Sequence, residues 1–313
     1  MAFTHVPVLF NEAMQALAIK PDGIYVDATF GRGGHSRGIL ERLEPDGRLY
    51  AIDRDPQAVA AASSIKDPRF AIAHARFSEL KRVCDDFGIT GRVDGILMDI
   101  GVSSPQIDDA SRGFSFIKDG PLDMRMDPQS GKSAAEIVNT ADRDELKRIF
   151  KDYGEERFAG KIAAAIERER KKEPFTTTHA LASLISRVVP GPDGAGKNKA
   201  TRCFQALRIA VNGELDELSS ALEESAMILR GGGRLCVISF HSLEDRIVKN
   251  YINKSSRGTE YPKGLPVTAK MAEKLRLATA TMEPVGGPVK ASKEECERNV
   301  RSRSATLRVA RRL

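Results

Sequence analysis

The feature that most constrains this chain is the regular alternation of short apolar runs with helical segments over its first hundred residues. A helix is predicted after each of the first three of four strands, which span 24–30, 48–53, 70–74 and 93–100. Asp55 followed by Pro56 is a typical helix start. Strands that alternate with helices in this way predict an α/β, Rossmann-like fold with a parallel, doubly wound sheet.

The alternation stops after the fourth strand. The spacing of apolar residues then predicts helices only, over 140–153, 155–172 and 178–188. A glycine- and proline-rich loop closes this stretch, and the earlier pattern resumes with a long helix over 200–229 and strands over 234–240 and 305–310. We therefore predict a sheet domain made of 1–112 and 200–313, interrupted by an inserted helical domain at 113–199.

Composition narrows the class of protein. The chain has 313 residues, of which 41% are hydrophobic and 29% charged, as in ordinary globular proteins of about two domains. No apolar run approaches the roughly 18 residues of a membrane span, and no secretory signal is visible, so we expect a cytoplasmic protein. The four cysteines show no CxxC spacing, which favours reduced, buried thiols over a metal site.

A glycine-rich turn, Gly31-Arg32-Gly33-Gly34, follows the first strand, and Asp53 ends the second. Glycines let a ligand approach the backbone, and a carboxylate at the tip of the second strand can accept both hydroxyls of a ribose. Together these features predict a nucleoside cofactor. The alternative is a tight turn beside a solvated aspartate.

Two further residues bear on which cofactor this is. Ser36 stands where the dinucleotide fingerprint G-x-G-x-x-G requires its last glycine. Asp27, inside the first strand, suits the sulfonium and amino groups of S-adenosylmethionine. We therefore predict S-adenosylmethionine, and an NAD(P)-dependent oxidoreductase on the same sheet is the alternative that direct binding measurements would distinguish.

The segment after the fourth strand, Asp99 to Gln106, leaves the sheet where open α/β folds bind substrates. This segment contains no cysteine. Methylation at carbon 5 of a pyrimidine usually needs a cysteine as the nucleophile. Direct transfer to nitrogen or oxygen needs only positioning and hydrogen-bond acceptors. The candidate catalytic residues are therefore Asp99, Ser103, Ser104 and Pro105, and the alternative for Asp99 is to cap the following turn.

The segment after the fifth strand contains a second group of polar residues. Ser242 to Asp245 is predicted to form a capping box that opens a helix, in which Glu244 and Asp245 favour the helix dipole. For His241 we favour a structural role over an RNA contact.

Positive charge is concentrated rather than spread along the chain. The net charge is +6, and residues 290–313 hold eight basic and three acidic residues. A second group, without an acid among its twelve positions, consists of Lys197, Lys199, Arg202 and Arg208. Local cation excess suits a polyanion such as nucleic acid, although a solvated basic face remains the alternative.

Several motifs together resemble one family, the bacterial 16S ribosomal RNA cytosine-1402 N4-methyltransferases, also called RsmH or MraW. The resemblance lies in Phe30 to Ser36, Ala51 to Pro56, Asp99 to Gln106, Gly120 to Asp127, Thr201 to Ile209, Ser239 to Asp245 and Arg301 to Ala305. These motifs extend over essentially the whole chain.

The resemblance implies a transferase of EC class 2.1.1 with a seven-stranded methyltransferase domain and an inserted helical substrate-recognition domain. It implies transfer of a methyl group from S-adenosylmethionine to the exocyclic amine of a decoding-centre cytidine in the small ribosomal subunit. The implied cofactor contacts are Gly33, Gly34, His35, Asp53, Phe77, Asp99 and Gln106, and the expected RNA contacts are Lys197, Lys199, Arg202, Arg208, Arg301 and Arg303. A homodimer is left open, and a non-catalytic ribosome-assembly factor is a further alternative.

Overall fold

The computed structural model describes residues 7–191, 198–259 and 268–313. The chain forms two compact units. The first consists of Met1–Gly101 and Leu215–Leu313, and the second consists of Val102–Glu214.

The described strands are β1 (Ile24–Asp27), β2 (Arg48–Asp53), β3 (Phe70–His74), β4 (Val93–Asp99), β5 (Leu229–Ser239), β6 (Met282–Pro284), β7 (Val289–Lys290) and β8 (Thr306–Arg312). The described helices are α1 (Phe10–Leu17), α2 (Gly34–Leu40), α3 (Pro56–Ala62), α4 (Leu80–Asp86), α5 (Ser104–Asp108), α6 (Ala134–Thr140), α7 (Arg143–Asp152), α8 (Ala159–Glu169), α9 (Thr178–Val188), α10 (Thr201–Asn212), α11 (Glu214–Ile228), α12 (Ser242–Arg257), α13 (Ala269–Thr279) and α14 (Lys293–Arg298). None of the helices in these residues is both long and apolar enough to cross a membrane.

The sheet of the first unit has the order β3-β2-β1-β4-β5-β8-β6, and β7 pairs with β8. Strands β1 to β5 are parallel, whereas β8 runs antiparallel to β5 and β6. The predicted Rossmann-like α/β fold is therefore confirmed. The described residues contain eight strands where the family resemblance implied seven, because the two-residue strand β7 adds to the edge of β8.

The central strand β4 is buried along its first six residues, as its apolar run predicted for a strand covered on both faces. Side chains alternate between two apolar layers, in keeping with the two-residue period of a strand. Val26 and Ile96 face one layer, which includes residues of α4 and α11. Tyr25 and Leu97 face the other, which includes residues of α1 and α2.

The strand boundaries were predicted with varying success. Strands β2 and β3 have the predicted bounds, and Asp55 caps α3 by accepting the N–H of Gln57 at 2.9 Å. Strand β1 ends at Asp27, three residues earlier than predicted. There Oδ1 of Asp27 accepts the N–H of Thr29 at 3.2 Å, which turns the chain toward the glycine-rich turn.

The second unit is built from helices whose N-terminal caps are readable in the sequence. Ser133, Asp142 and Thr177 cap α6, α7 and α9 by accepting backbone N–H groups from the third helical residue. Helix α9 has the predicted bounds, α7 and α8 are shorter than predicted, and the pattern analysis missed α6.

The predicted single helix over 200–229 is wrong. Helix α10 ends at Asn212, and Gly213 adopts a left-handed conformation with φ of +63° before α11 begins. The side chain of Asn212 donates to the carbonyl of Met124 at 2.8 Å and holds this end of α10 inside the second unit.

The helical unit is also longer than the expected insert at 113–199. It begins at Val102 and ends at Glu214. Helix α10 belongs to it because Cys203, Phe204 and Leu207 are buried in the apolar core of this unit.

Candidate functional site

The carboxyl ends of the parallel strands form the edge of the first unit at which ligands bind in open α/β sheets. The last residue of three of these strands is an aspartate: Asp27 on β1, Asp53 on β2 and Asp99 on β4. The glycine-rich turn follows β1 at the same edge. The sequence-predicted residues of the first unit therefore gather at one end of the sheet.

The glycine-rich turn needs glycine for reasons of conformation and space. Gly31 and Gly33 have φ of +57° and +74°, a region that other residues seldom adopt. A Cβ at Gly33 would lie 2.7 Å from the Phe30 ring, and one at Gly34 would lie 2.3 Å from Cγ of Pro7. A Cβ at Gly31 would meet its nearest atom only at 4.0 Å, so the backbone is open to a ligand at this position.

Asp53 connects the turn to the tip of β2. Its Oδ2 accepts the N–H of Gly31 at 2.7 Å, and its Oδ1 accepts the N–H of Asp55 at 2.8 Å. Burial raises the pKa of Asp53 to about 6, against the lowering effect of these two hydrogen bonds. Each carboxylate oxygen keeps a second lone pair, so Asp53 can still accept from two hydroxyl groups of a ligand.

Asp27 is buried, with 1% of its surface exposed, and both oxygens of its carboxylate accept hydrogen bonds within the protein. Its Oδ2 accepts the hydroxyl of Ser36 at 2.6 Å, and burial raises its pKa to about 6. The residue that breaks the dinucleotide fingerprint thus hydrogen-bonds to the acid that precedes the turn. Asp27 therefore fixes the first turn of α2 to the end of β1.

Asp99 and His35 face one another at the end of β4. Nε2 of His35 lies 3.1 Å from the carbonyl oxygen of Val8, which can only accept, so this nitrogen carries the proton. Nδ1 of His35 lies 3.6 Å from Oδ2 of Asp99. The N–H of Asp99 donates to the hydroxyl oxygen of Thr29 at 2.6 Å, which fixes the backbone of this strand end.

The other carboxylate oxygen of Asp99, Oδ1, is buried and has no hydrogen-bond partner among the residues that the structure describes. Burial, followed by the charges of Asp27 and Glu244, raises the pKa of Asp99 to about 8. A carboxyl group with one buried, unused oxygen, a side chain that is 25% exposed and a raised pKa is a typical candidate for a functional site. It can receive a cation or a hydrogen-bond donor.

The segment after β5 differs from the predicted capping box. The N-terminal cap of α12 is His241, one residue earlier than Ser242, and its Nδ1 accepts the N–H of Glu244 at 3.4 Å. Glu244 is fully buried, and its Oε2 accepts the N–H groups of Phe240 at 2.7 Å and of His241 at 3.2 Å. The structural role expected for His241 is confirmed, whereas the expectation that Glu244 only favours the helix dipole is wrong because its buried charge also acts on Asp99.

Asp245 likewise does more than favour the dipole of α12. Its carboxylate accepts two hydrogen bonds from the guanidinium of Arg308, at 2.6 Å and 2.9 Å, and this ion pair lowers its pKa. The bidentate pair attaches the first turn of α12 to β8.

Phe77 lies in a short 3-10 helix, Phe77–Glu79, directly after β3. It is half-buried, and Ala75, two residues earlier, donates its N–H to the carbonyl of Asp53 at 3.1 Å. A partly exposed aromatic ring two residues from a backbone hydrogen bond to the tip of β2 can stack on a heterocyclic base.

The remaining candidates after β4 belong to the second unit. Ser103 is the N-terminal cap of α5, and Ser104 and Pro105 form its first turn. Gln106 is buried, and its Oε1 accepts the N–H of Ser103 at 2.8 Å. Gln106 therefore stabilises this turn of the second unit.

The cations expected to contact RNA have different environments. In the second unit, Lys199 is half-buried and Arg202 is exposed in the first turn of α10, while Lys197 lies outside the described residues. In the first unit, Arg301 and Arg303 lie in a 3-10 helix before β8, and Arg303 is exposed.

Arg208 is engaged within the second unit. Its guanidinium donates to both oxygens of Glu214, at 2.8 Å and 2.7 Å, and the Glu214 side chain is only 4% exposed. The charge of Arg208 is therefore already compensated by a buried carboxylate. The sequence did not indicate this pair, because the helix end at Gly213 that brings the two residues together was not predicted.

The cysteines have the environment expected of inert thiols. Cys84, Cys203 and Cys236 are buried and Cys296 is half-buried, all as free thiols. Burial raises the pKa of Cys84 and of Cys236 to about 12, so neither is a thiolate at neutral pH.

The strand order, the glycine-rich turn and the carboxylates at the strand ends define a Rossmann-like, class I methyltransferase fold that uses S-adenosylmethionine. The chain belongs to the MraW methylase family, whose model matches residues 2–313. It is accordingly a methyltransferase, and the expected family, fold class and cofactor are confirmed.

Solved structures with a similar fold have low sequence identity to this chain. A protein described as an rRNA methylase from Clostridium thermocellum has 10% identity and a TM-score of 0.45, over 99% of this chain and 100% of its own. An rRNA methylase from Streptococcus thermophilus has 10% identity and a TM-score of 0.41, with coverage of 97% and 93%. A methyltransferase dependent on S-adenosylmethionine from Aquifex aeolicus has 11% identity and a TM-score of 0.37, with coverage of 97% and 89%. The family assignment rests on the family model and not on these similarities.

Proposed function

We propose that this methyltransferase transfers the methyl group of S-adenosylmethionine to the exocyclic N4 amine of cytidine 1402 in 16S ribosomal RNA of the small subunit. The observation that carries the proposal is the match of the family model over residues 2–313. The family resemblance described above supplies the ribosomal target. The reaction would take place in the cytoplasm, where ribosomal subunits are assembled.

The edge of the first unit fits the cofactor in two respects. The raised pKa of about 8 and the unused Oδ1 of Asp99 favour a ligand that brings positive charge or N–H donors to this carboxyl group. S-adenosylmethionine supplies an electrophilic methyl group on a sulfonium and also carries an amino group. Asp53 accepts the ribose hydroxyls in the proposal, and Gly33, Gly34, His35, Phe77 and Gln106 are the other proposed contacts.

The target amine is a poor nucleophile because its lone pair is delocalised into the cytosine ring. Acceptors at its N–H groups favour a pyramidal nitrogen whose lone pair can face the methyl carbon. We assign this task to Asp99 together with the chain at Ser103, Ser104 and Pro105. In this transfer a bond would form between the nitrogen and the methyl carbon while the bond from sulfur to that carbon breaks, S-adenosylhomocysteine would leave, and the amine would lose one proton to solvent.

No covalent enzyme–RNA adduct is part of the proposed reaction. The buried thiols of Cys84 and Cys236, with pKa values of about 12, support direct transfer, since attack on the pyrimidine ring requires a thiolate. The nitrogen atom attacks without prior activation of the ring.

The second unit is the proposed RNA-recognition unit. Exposed Arg202 lies in the first turn of α10 and half-buried Lys199 lies just before this helix, and both are candidates to contact phosphates. Arg303 of the first unit and its neighbour Arg301 are further candidates. Arg208 is omitted because Glu214 already holds it.

The proposal is tested with small subunits purified from a strain that lacks the gene. The purified protein and radiolabelled S-adenosylmethionine should label 16S RNA, and nuclease digestion with mass spectrometry should yield N4-methylcytidine at position 1402. Subunits with uridine at that position should remain unlabelled. Detection of 5-methylcytidine would contradict the mechanism, and RNA binding without any methyl transfer would favour an assembly factor.

A further inference from the structure

The second unit contains a cleft between α7 and α8 that none of the sequence motifs indicated. Its volume is about 410 Å³. Three exposed cations line it, Lys147, Lys151 and Arg157, and the small residues Ala159 and Gly160 form part of its wall.

The charges of the three cations are not engaged in ion pairs with other described residues. Among the described residues, none of Lys147, Lys151 and Arg157 has a carboxylate within ion-pair distance. Lys147 and Lys151 are four residues apart on α7, where like charges destabilise a helix by about 0.2–0.5 kcal/mol. Lys151 lies in the last turn of α7, where a cation favours the helix dipole, so the two effects roughly offset and both charges remain available to a ligand.

Two acids, Glu155 and Glu156, also line the cleft, and the three cations outnumber them, so its charge is net positive. Glu156 is buried, and its Oε1 accepts the N–H of Phe158 at 2.9 Å at the start of α8. Glu155 adopts φ of +48°, a conformation that costs a residue other than glycine about 1–2 kcal/mol. Strained residues of this kind are found preferentially where a ligand or a catalytic group must be placed.

The cleft is also continuous with the basic region predicted from the sequence. The guanidinium of Arg202 donates to the carbonyl oxygen of Glu155 at 3.3 Å. A Cβ at Gly154 would lie 2.7 Å from the carbonyl oxygen of Arg202, so the loop before α8 packs directly on the first turn of α10. Lys161 adds a further cation over the Phe158 ring, 5.7 Å from its centroid.

We propose that the cleft lined by Lys147, Lys151 and Arg157 binds backbone phosphates of the ribosomal RNA substrate, and together with Arg202 forms one phosphate-binding surface of the second unit. This inference rests on the proposed function. Flexible lysines and an arginine without carboxylate partners suit phosphodiester groups, which carry no sequence information and are read mainly as charge. The surface would hold the RNA while the residues of the sheet edge carry out the chemistry.

The test compares two triple variants of the full-length protein. The first is Lys147→Gln, Lys151→Gln and Arg157→Gln. The matched control removes the same charge from exposed cations of the same unit that do not line the cleft: Arg148→Gln, Lys171→Gln and Lys172→Gln. Affinity for small subunits is measured between about 50 and 200 mM salt, with affinity for S-adenosylmethionine and circular dichroism as checks that both variants are folded.

The cleft variant should lower the salt-dependence slope of subunit binding by about 2 to 3, at roughly 0.7–0.9 for each lost phosphate contact. KM for subunits should rise while kcat at saturating subunits and cofactor affinity stay unchanged. The control variant should keep the wild-type slope.

The inference would be overturned if the salt dependence of subunit binding had the same slope in the cleft variant as in the wild type. It would also be overturned if the control variant lowered this slope as much as the cleft variant does. The proposed function is tested separately, by measuring whether the wild-type protein methylates the small subunits. If the wild type binds subunits without methylating them, the proposed function fails, and the difference in slope still decides the role of the cleft.

Discussion

Replacing Asp99 with asparagine should make the ligand-free protein more stable while it removes activity. Asp99 is the one of the three strand-end acids whose carboxylate has an oxygen, Oδ1, without a hydrogen-bond partner among the described residues. Asparagine has nearly the same shape and no charge, so the substitution removes the cost of ionising a buried carboxyl group.

The size of the expected stability difference follows from the pKa of Asp99. Folding raises the pKa of Asp99 from 3.8 to about 8, chiefly by burial. Between these two values the folded state holds a proton that the unfolded state has lost, so the contribution of Asp99 to stability falls as the pH rises. At about 1.4 kcal/mol per pH unit, the wild type loses about 4 kcal/mol by pH 7 relative to a neutral residue, and the loss levels off above pH 8.

Urea unfolding of the wild type and of Asp99→Asn at unit steps from pH 5 to pH 9 measures this difference. The stability advantage of the variant should grow by about 1.4 kcal/mol per pH unit up to pH 7 and become constant above pH 8. Asp27→Asn is the matched control: the pKa of Asp27 is raised only to about 6, so the stability difference between this variant and the wild type should stop changing above about pH 6, while that of Asp99→Asn still grows up to about pH 8. A difference between wild type and Asp99→Asn that does not change with pH would refute the reasoning.

Three further expectations address other parts of the molecule. Asp53→Ala should weaken S-adenosylmethionine binding by roughly 10- to 150-fold in calorimetry, since charge-assisted hydrogen bonds are worth about 1.5–3 kcal/mol, and unchanged affinity would exclude Asp53 as a contact. Neutralising Lys199 and Arg202 together should lower the salt slope of RNA binding by about 0.7–0.9 per lost contact, whereas an unaltered slope would mean that both are merely solvated. Cys84→Ala with Cys236→Ala should leave methyl transfer intact in folded protein, and an adduct trapped by 5-fluorocytidine would disprove direct transfer.

The parts of the site that the sequence revealed are those encoded by neighbouring residues. The glycine-rich turn, Asp53 at the tip of β2 and the cap at Asp55 each depend on a few consecutive positions. Their geometry was predicted because turn and cap preferences act locally.

The parts that the sequence concealed depend on packing between distant segments. The contact of His35 with the carbonyl of Val8, the unused oxygen of Asp99 and the burial of Glu244 are set by which helices cover the sheet edge. The cleft beside α7 escaped notice for the same reason, although the spacing of Lys147 and Lys151 was visible. Like charges four residues apart on a predicted helix were the available signal.

Ser36 explains why a glycine-rich turn that resembles a dinucleotide-binding site favours a positively charged ligand. In dinucleotide-binding proteins the last glycine of the fingerprint lets the helix pack closely on the strand, and the helix N-terminus holds a pyrophosphate. Here the hydroxyl of Ser36 donates to Asp27, which keeps a carboxyl group beneath the first turn of α2. Burial is the main cause of the raised pKa values of Asp99 and Asp27, and the charge of Asp27 adds to the first as that of Asp53 adds to the second, so negative charge is disfavoured at this edge. A phosphate would add to this repulsion, whereas a sulfonium or ammonium group relieves it, and the same fold is thereby directed from a dinucleotide to a methyl donor.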